Sequence, residues 1–135
     1  MAEVTVHVEA EVHPTEAENK VRTAIANMFG NLTIEIEPLV VGGMLVGDAR
    51  GQEALESFRA VLRRDRVRAA ARKLLHSSVR GNRISFCLNK QVAFIGHVSF
   101  SQETGECPLG PIRVEIETMN PRELVDWIAP RIAEA

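Results

Sequence analysis

The stretch that decides the fold is Glu3-Val4-Thr5-Val6-His7-Val8-Glu9-Ala10-Glu11-Val12, close to the start of the chain. Apolar side chains occupy every second position, and polar or charged side chains occupy the positions between them. Because successive side chains of a β-strand point to opposite faces, this alternation predicts a strand with one buried face and one exposed face. A sheet of such strands needs a second layer to cover its apolar face.

The rest of the chain predicts both more strands and that covering layer. Apolar residues recur at helical spacing after Pro14, between Gly51 and Ser77, with a break near Asp65, and after Asn120. Further strands are predicted at 32–41 and 44–46, on either side of a Gly42-Gly43 hairpin turn, and at 84–88, 92–100 and 112–116. We therefore expect a two-layer α+β fold, with a mostly antiparallel mixed sheet and helices packed on one face. With 135 residues, 45% of them hydrophobic, the simplest organisation is a single domain spanning 1–135.

Charge is strongly segregated along the chain. The segment 59–90 holds ten basic residues and one acidic residue, whereas the net charge is −7 over 1–58 and −4 over 91–135, so the whole chain has −2. A basic block of this kind makes a polyanion the first partner to consider. Arginine's planar fork suits phosphate oxygens, so the residues predicted to contact RNA phosphates are Arg63, Arg64, Arg68, Arg72 and Lys73. The alternative is a solvated helix face whose arginines pair with glutamates of the same protein.

The polar face of the predicted sheet carries the opposite charge. Seven glutamates fall on it if the strands share one sheet: Glu3, Glu9, Glu11, Glu35, Glu37, Glu115 and Glu117. Such a face would repel a phosphate backbone, and RNA-recognition domains that stack bases on an open sheet need aromatic residues and positive charge there. Nucleic acid is therefore expected at the helical side, the strand ends or the loops.

A polar tripeptide, Asn89-Lys90-Gln91, separates two apolar runs. It is either a simple turn or a second part of the RNA site. Lys90 would add to the basic block, and the amide groups of Asn89 and Gln91 are suited to sugar or base edges.

The sequence gives little support to catalysis or to a cofactor. Its four histidines are scattered without metal-ligand spacing, and no serine lies in a nucleophile elbow. We expect a non-enzymatic protein with no metal and no cofactor. No run of 18 apolar residues predicts a membrane span, and the first residues do not resemble a secretory signal. Cys87 and Cys107 have no metal-like spacing and are expected to be reduced thiols, which predicts a cytoplasmic location.

Four motifs resemble those of an archaeal family of uncharacterised proteins predicted to bind RNA: Val6–Glu16, Leu88–Ala93, Leu109–Ile112 and Asp126–Pro130. The match spans essentially the whole chain and keeps the order of the family's motifs. The resemblance implies a ribosomal-protein-like fold, similar to that of the protein that binds five-S ribosomal RNA. It also implies RNA binding, sometimes linked to the archaeal exosome. As site residues it carries over only Asn89, Lys90 and Gln91.

The leading hypothesis is therefore a non-catalytic RNA-binding domain for structured or ribosomal RNA. The alternative is a protein-interaction module, such as a homodimer or a member of an RNA-processing complex, in which the acidic sheet face of one copy meets the basic helices of another. A hydrolase or nuclease is a third hypothesis, which paired carboxylates holding a divalent metal would favour.

Overall fold

The computed structural model describes residues 3–102 and 109–131, so Cys107 lies outside the described residues. The strands are β1 (Val4–Val12), β2 (Thr33–Pro38), β3 (Gly43–Arg50), β4 (Val79–Arg80), β5 (Arg83–Leu88), β6 (Phe100–Ser101) and β7 (Ile112–Thr118). The helices are α1 (Glu18–Met28), α2 (Glu56–Arg64), α3 (Arg68–Ser77), α4 (Lys90–Phe94) and α5 (Pro121–Ile128). A 3-10 turn, Gln52–Leu55, leads into α2.

The seven strands form one sheet in the order β2-β3-β1-β7-β5-β4, with β6 pairing β5. Every pairing among the described strands is antiparallel. The alternating stretch that opens the chain is confirmed as β1, at the centre of the sheet, where it pairs with β3 on one side and β7 on the other. Its apolar residues are buried and the residues between them are half-buried, so the predicted two-layer α+β architecture is confirmed.

One hydrophobic core fills the space between the sheet and the helices. Phe58 of α2 is its centre: its ring stacks on Phe29 at 5.4 Å and on Phe86 at 5.3 Å, and meets Phe100 edge-on at 6.2 Å. Aromatic pairs at these separations stabilise beyond the area they bury. Helix α2 is therefore fixed against the sheet, and its basic outer side is fixed with it.

The predicted hairpin turn is confirmed between β2 and β3. Gly42 has φ +74°, and a Cβ atom at this position would lie 2.2 Å from the carbonyl oxygen of Val12, so only glycine fits. The turn is closed by a 3.1 Å hydrogen bond from the Leu39 N–H to the Gly42 carbonyl. Residues 39–41 belong to the turn and not to the strand, which ends at Pro38.

The predicted break near Asp65 is also confirmed, because α2 ends at Arg64 and α3 begins at Arg68. Arg66 between them has a positive φ of 59°. Arginines that would share a face on one continuous helix are therefore distributed over two separate helices.

The predicted strand at 92–100 is wrong over most of its length. Asn89 caps a short helix, α4, by accepting a 2.9 Å hydrogen bond from the Val92 N–H. Asn27 of α1 donates from Nδ2 to the carbonyls of Ala93 (3.0 Å) and Phe94 (3.1 Å), so α4 packs on α1. Only the short strand β6 returns to the sheet. Short apolar runs fit a strand or a buried helix equally well, so contacts distant in sequence decide between them.

Candidate nucleic-acid interface

The basic segment forms the outer sides of α2 and α3. Helix α2 buries Phe58, Val61 and Leu62, and α3 buries Ala71 and Leu75. This amphipathic spacing leaves Arg63, Arg64, Arg68 and Lys73 on the sides that face away from the sheet.

Four arginines line one hollow in this surface. The hollow, with a volume of about 260 Å³, lies between α2, the start of α3 and the end of α5. We call it the arginine hollow; its lining is Arg59, Arg63, Arg64 and Arg68, with Glu56, Ala60, Ile128 and Pro130. Sequence reasoning predicted three of these arginines as site residues, but the contribution of the α5 end was not visible in the sequence.

Much of the charge around the arginine hollow has no partner within the protein. In the described part of the chain, the side chains of Arg63, Arg66, Arg68 and Lys73 make no hydrogen bond or ion pair. Arg64 donates to the Gly96 carbonyl and lies 3.4 Å from Asp65, yet its side chain stays 57% exposed. The first turn of α3 carries no acidic residue, and Val67 before it provides no side-chain cap. The positive end of the helix dipole therefore adds to the arginine charge.

Two other arginines of the segment anchor α5 instead. Arg59 donates from Nε to the Trp127 carbonyl at 2.8 Å, and its guanidinium lies 5.1 Å from the Trp127 ring centre. Arg72, predicted to contact RNA, forms a 2.7 Å ion pair with Asp126 and donates to the Ala129 carbonyl at 3.2 Å. The hydrogen bond from Arg72 holds the pKa of Asp126 below its ordinary value. The guanidinium of Arg72 is therefore turned onto α5, and a contact of Arg72 with RNA remains a prediction.

Asp65 fixes the end of α2 against the loop that follows α4. Its carboxylate accepts hydrogen bonds from the Val98 N–H (2.9 Å) and from Nδ1 of His97 (3.0 Å). Burial acts to raise the pKa of Asp65, whereas the hydrogen bonds from Val98, His97 and Arg64 act to lower it, and the net result is a pKa below its ordinary value. The only acidic residue of the basic segment is thus used inside the fold and by Arg64, and it forms no ion pair with Arg63 or Arg68.

Lys90 is buried, whereas the sequence predicted that it would add to the basic RNA site. Its side chain is 3% exposed, and Nζ donates to the carbonyls of Glu11 (2.7 Å) and Leu109 (2.8 Å) and to Glu16 Oε1 (2.9 Å). A charge that is buried with all its hydrogen bonds made serves the fold, so Lys90 adds no charge to the surface. The signal was present in the sequence, because Lys90 continues the alternation of the buried residues Ile84, Phe86 and Leu88.

The other two residues of the tripeptide have separate positions. Asn89 caps α4 with its side-chain oxygen, whereas Gln91 is exposed on the first turn of that helix. The loop after α4 contacts the end of α2 through Arg64 and Asp65. A contact of Gln91 with RNA remains a prediction.

The open side of the sheet carries the acidic charge, as predicted. In the strand registers Glu9 lies between Val46 and Arg113, and Glu115 lies opposite His7, so the glutamates of β1, β2 and β7 share one face. We call it the acidic face. Much of its charge is paired: Arg83 bonds Glu115 (3.1 Å) and Glu117 (2.9 Å).

His7 lies at the centre of the acidic face. Nδ1 lies 2.7 Å from Asp48 and Nε2 lies 3.0 Å from Glu9. Partial burial acts to lower the pKa of His7, but the hydrogen bonds to Glu9 and Asp48 raise it above its ordinary value. Within residues 3–102 and 109–131, no group of three or more His, Cys, Asp or Glu residues could hold a metal ion.

Comparisons with known proteins identify the family. A family model described as RNA binding matches residues 5–118. The UPF0201 protein of Sulfurisphaera tokodaii is 42% identical over 127 residues, which cover 94% of this chain and 88% of that protein. The chain belongs to the UPF0201 family. A second archaeal UPF0201 relative, from Pyrobaculum calidifontis, is 41% identical over 122 residues, covering 90% of this chain and 85% of that protein.

Solved UPF0201 structures share the fold. The crystal structure of the UPF0201 protein from Methanococcus jannaschii superposes with a TM-score of 0.83 at 30% identity, covering 93% of this chain and 99% of that one. A second UPF0201 crystal structure gives a TM-score of 0.83 at 31% identity, with 97% of both chains covered. The resemblance to an archaeal family of predicted RNA-binding proteins is therefore confirmed. The likeness to the five-S RNA-binding ribosomal protein and the link to the exosome remain predictions.

No helix in the described ranges is both long enough and apolar enough to cross a membrane.

Proposed function

We propose that this UPF0201 protein binds RNA without catalysing a reaction, and that the arginine hollow contacts the phosphate backbone. The observation that carries the proposal is that Arg63 and Arg68 line one hollow and that, among the described residues, their side chains have no hydrogen-bond or ion-pair partner, with the half-exposed Arg64 beside them. Unpaired guanidinium groups are ready to form charge-assisted hydrogen bonds with phosphate oxygens. The family model's description supports the same class of ligand.

The acidic face also supports RNA binding on the helical side, because RNA is not expected to bind to the acidic face itself. It lies on the side of the sheet away from the helices, and its glutamates would repel a phosphate backbone. Lys73, exposed on α3 without an ion pair in the described chain, is the candidate for a further phosphate contact. Arg72 acts by positioning the end of α5, whose Ile128 and Pro130 form one wall of the hollow.

A salt titration of RNA binding tests the proposal. If Arg63, Arg64, Arg68 and Lys73 each neutralise one phosphate, log affinity falls with log salt at a slope of about −2.8 for single strands and about −3.6 for a duplex. Arg63→Ala with Arg64→Ala and Arg68→Ala should lower the affinity for both RNA types and reduce the magnitude of the slope by about 2 to 3. Fluorescence anisotropy with a hairpin and a single-stranded RNA measures both quantities.

A matched control removes the same charge elsewhere. Arg50 and Arg83 lie on the acidic face and Arg122 on α5, away from the lining of the arginine hollow. Changing all three to Ala should leave the salt slope close to that of the wild type. An equal loss of RNA affinity in both triple variants, or no RNA binding at low salt, would reject the proposed site.

A second candidate function is a protein-interaction module, favoured by the opposite charges of the acidic face and the arginine hollow. Copies that stacked one surface on the other would form an oligomer that salt dissociates. Light scattering over a range of ionic strength, without RNA, tests it. A salt-sensitive oligomer with no RNA affinity would replace the first proposal. Membership of an RNA-processing complex and a cytoplasmic location remain predictions.

A further inference from the structure

The tip of the β2–β3 hairpin exposes three consecutive apolar residues. Val40 is 105% exposed, Val41 68% and Leu39 45%. Runs of exposed apolar residues usually mark a binding surface in a soluble protein. The tip is not a loose loop, because Gly42 packs against the Val12 carbonyl and the Leu39 N–H closes the turn. The hairpin therefore presents a fixed apolar knob.

An apolar groove lies at the same end of the molecule. Its volume is about 420 Å³, and it runs between the start of α1 and α4. Ala17, Val21, Phe94, Ile95 and Leu109 form its apolar lining, and Phe94 and Ile95 are 39% and 67% exposed. The segment after β1, including Thr15 and Glu16, forms one wall. Since the hairpin tip packs on the end of β1, knob and groove lie near each other.

Charge beside the two features is complementary. Lys20, on the rim of the groove, lies over the Phe94 ring at 5.9 Å from its centre. Glu37 is exposed on β2 just before the hairpin tip. Within the described part of the chain, neither Lys20 nor Glu37 has an ion-pair partner. A second molecule would supply both the apolar complement and the missing counter-charge.

We propose that the occupant of the groove is the hairpin tip of a second copy of this chain. In a two-fold arrangement each tip enters the groove of the other copy, so the contact is made twice and the assembly closes as a dimer. Glu37 of one copy then meets Lys20 of the other. The association rests on apolar contact and is independent of RNA binding at the arginine hollow.

Analytical ultracentrifugation of the full chain tests this dimer. At about 100 µM, where a micromolar dimer is mostly associated, the wild type should sediment at twice the monomer mass in both low and high salt. Val40→Asp and Ile95→Asp should each weaken the dimer by about 1000-fold, which is about 30-fold for each of the two contacts, because a charge is placed in both buried contacts. Met119→Asp is the matched control: Met119 is 71% exposed at the other end of the sheet, next to Thr118, and its change should leave the dimer intact.

A mixing experiment distinguishes the insertion of the hairpin tip into the groove from a non-specific effect of the added surface charge. Val40→Asp keeps an intact groove and Ile95→Asp keeps an intact tip, so an equimolar mixture restores one of the two contacts and should form a heterodimer that neither variant forms alone. Val40→Ser gives the same comparison should Val40→Asp fail to fold, as judged by circular dichroism. A monomeric wild type, a dimeric Val40→Asp, or no association in the mixture would overturn the proposal. A dimer that dissociates only in high salt would point to the charged surfaces instead.

Discussion

The acidic face and the arginine hollow lie on opposite sides of one sheet and use charge in different ways. On the acidic face, the acidic groups have close partners: Arg83 bonds Glu115 and Glu117, and the His7 ring lies within hydrogen-bond distance of Asp48 and Glu9. At the arginine hollow, Arg63 and Arg68 have no such partner in the described chain. The contrast teaches that the amount of charge does not identify a binding surface. Charge that the fold leaves unpaired is the better indicator.

The largest expected effect is a loss of stability, and it should distinguish the buried lysine Lys90 from the exposed lysine Lys73. Lys90→Ala leaves the Glu16 carboxylate and two carbonyls without their ammonium partner, so we expect the free energy of unfolding to fall by about 3–5 kcal/mol. Lys73→Ala, which removes an exposed and unpaired lysine, should change it by less than about 0.5 kcal/mol. Urea unfolding followed by circular dichroism measures both. Equal values for the two variants would contradict the structural role given to Lys90.

Substitution of Asp65 should cause the next largest loss of stability. Asp65→Ala removes the acceptor of the Val98 N–H and should cost about 1–3 kcal/mol of stability. Asp65→Asn keeps an acceptor but cannot ionise, so it isolates the role of the charge. Both variants are compared with the wild type by urea unfolding at pH 7.

The same residue predicts a pH dependence. Because the folded pKa of Asp65 is below its ordinary value of 3.8, its contribution is present above that value and is lost as the pH falls through the folded pKa. The wild type should therefore lose more stability than Asp65→Asn between about pH 5 and pH 2. Identical acid unfolding profiles would show that the Asp65 charge does not contribute.

His7 should make a smaller contribution to stability, and this contribution should depend on pH in the opposite direction to that of Asp65. Its folded pKa lies above the ordinary value of 6.5, so its contribution is present below that value and is lost as the pH rises through the folded pKa. The side chain is 39% exposed, and solvent screening limits the contribution to about 0.3–0.5 kcal/mol. An NMR titration of the imidazole should give a midpoint above that of a reference peptide. A midpoint below the reference would mean that burial outweighs Glu9 and Asp48.

The smallest expected effect concerns the acidic face and RNA. Glu35→Gln with Glu37→Gln removes two exposed charges of β2. Solvent-exposed charges separated by more than about 8–10 Å are largely screened at physiological salt. Their removal should change RNA affinity less than about twofold, as measured by the same anisotropy titration. A change as large as that of the arginine-hollow variant would mean that RNA contacts the sheet.

Local patterns were sufficient to predict much of the fold. Alternation predicted β1 and the acidic face, and the loss of helical register near Asp65 predicted the break between α2 and α3. The alternation of β5 indicated that Lys90 is buried, but the partners of Lys90 and Arg72 could not be predicted, because they are distant in sequence. Glu16 is 74 residues from Lys90, and the Ala129 carbonyl is 57 residues from Arg72. Charge composition identified the basic segment, but only tertiary contacts show which of its arginines are paired.

The hydrogen bonds of Lys90 have a consequence for local unfolding. Helix α4 has five residues, and isolated helices of fewer than about 12 residues are marginal in water. Its first residue is held through one nitrogen to the end of β1, to Glu16 and to Leu109. We expect α4 to open as a unit when that nitrogen releases its partners, and the wall of the groove formed by Phe94 and Ile95 to open with it. Amide hydrogen exchange of α4 would then measure this local unfolding, which begins when the Lys90 ammonium group loses its hydrogen bonds.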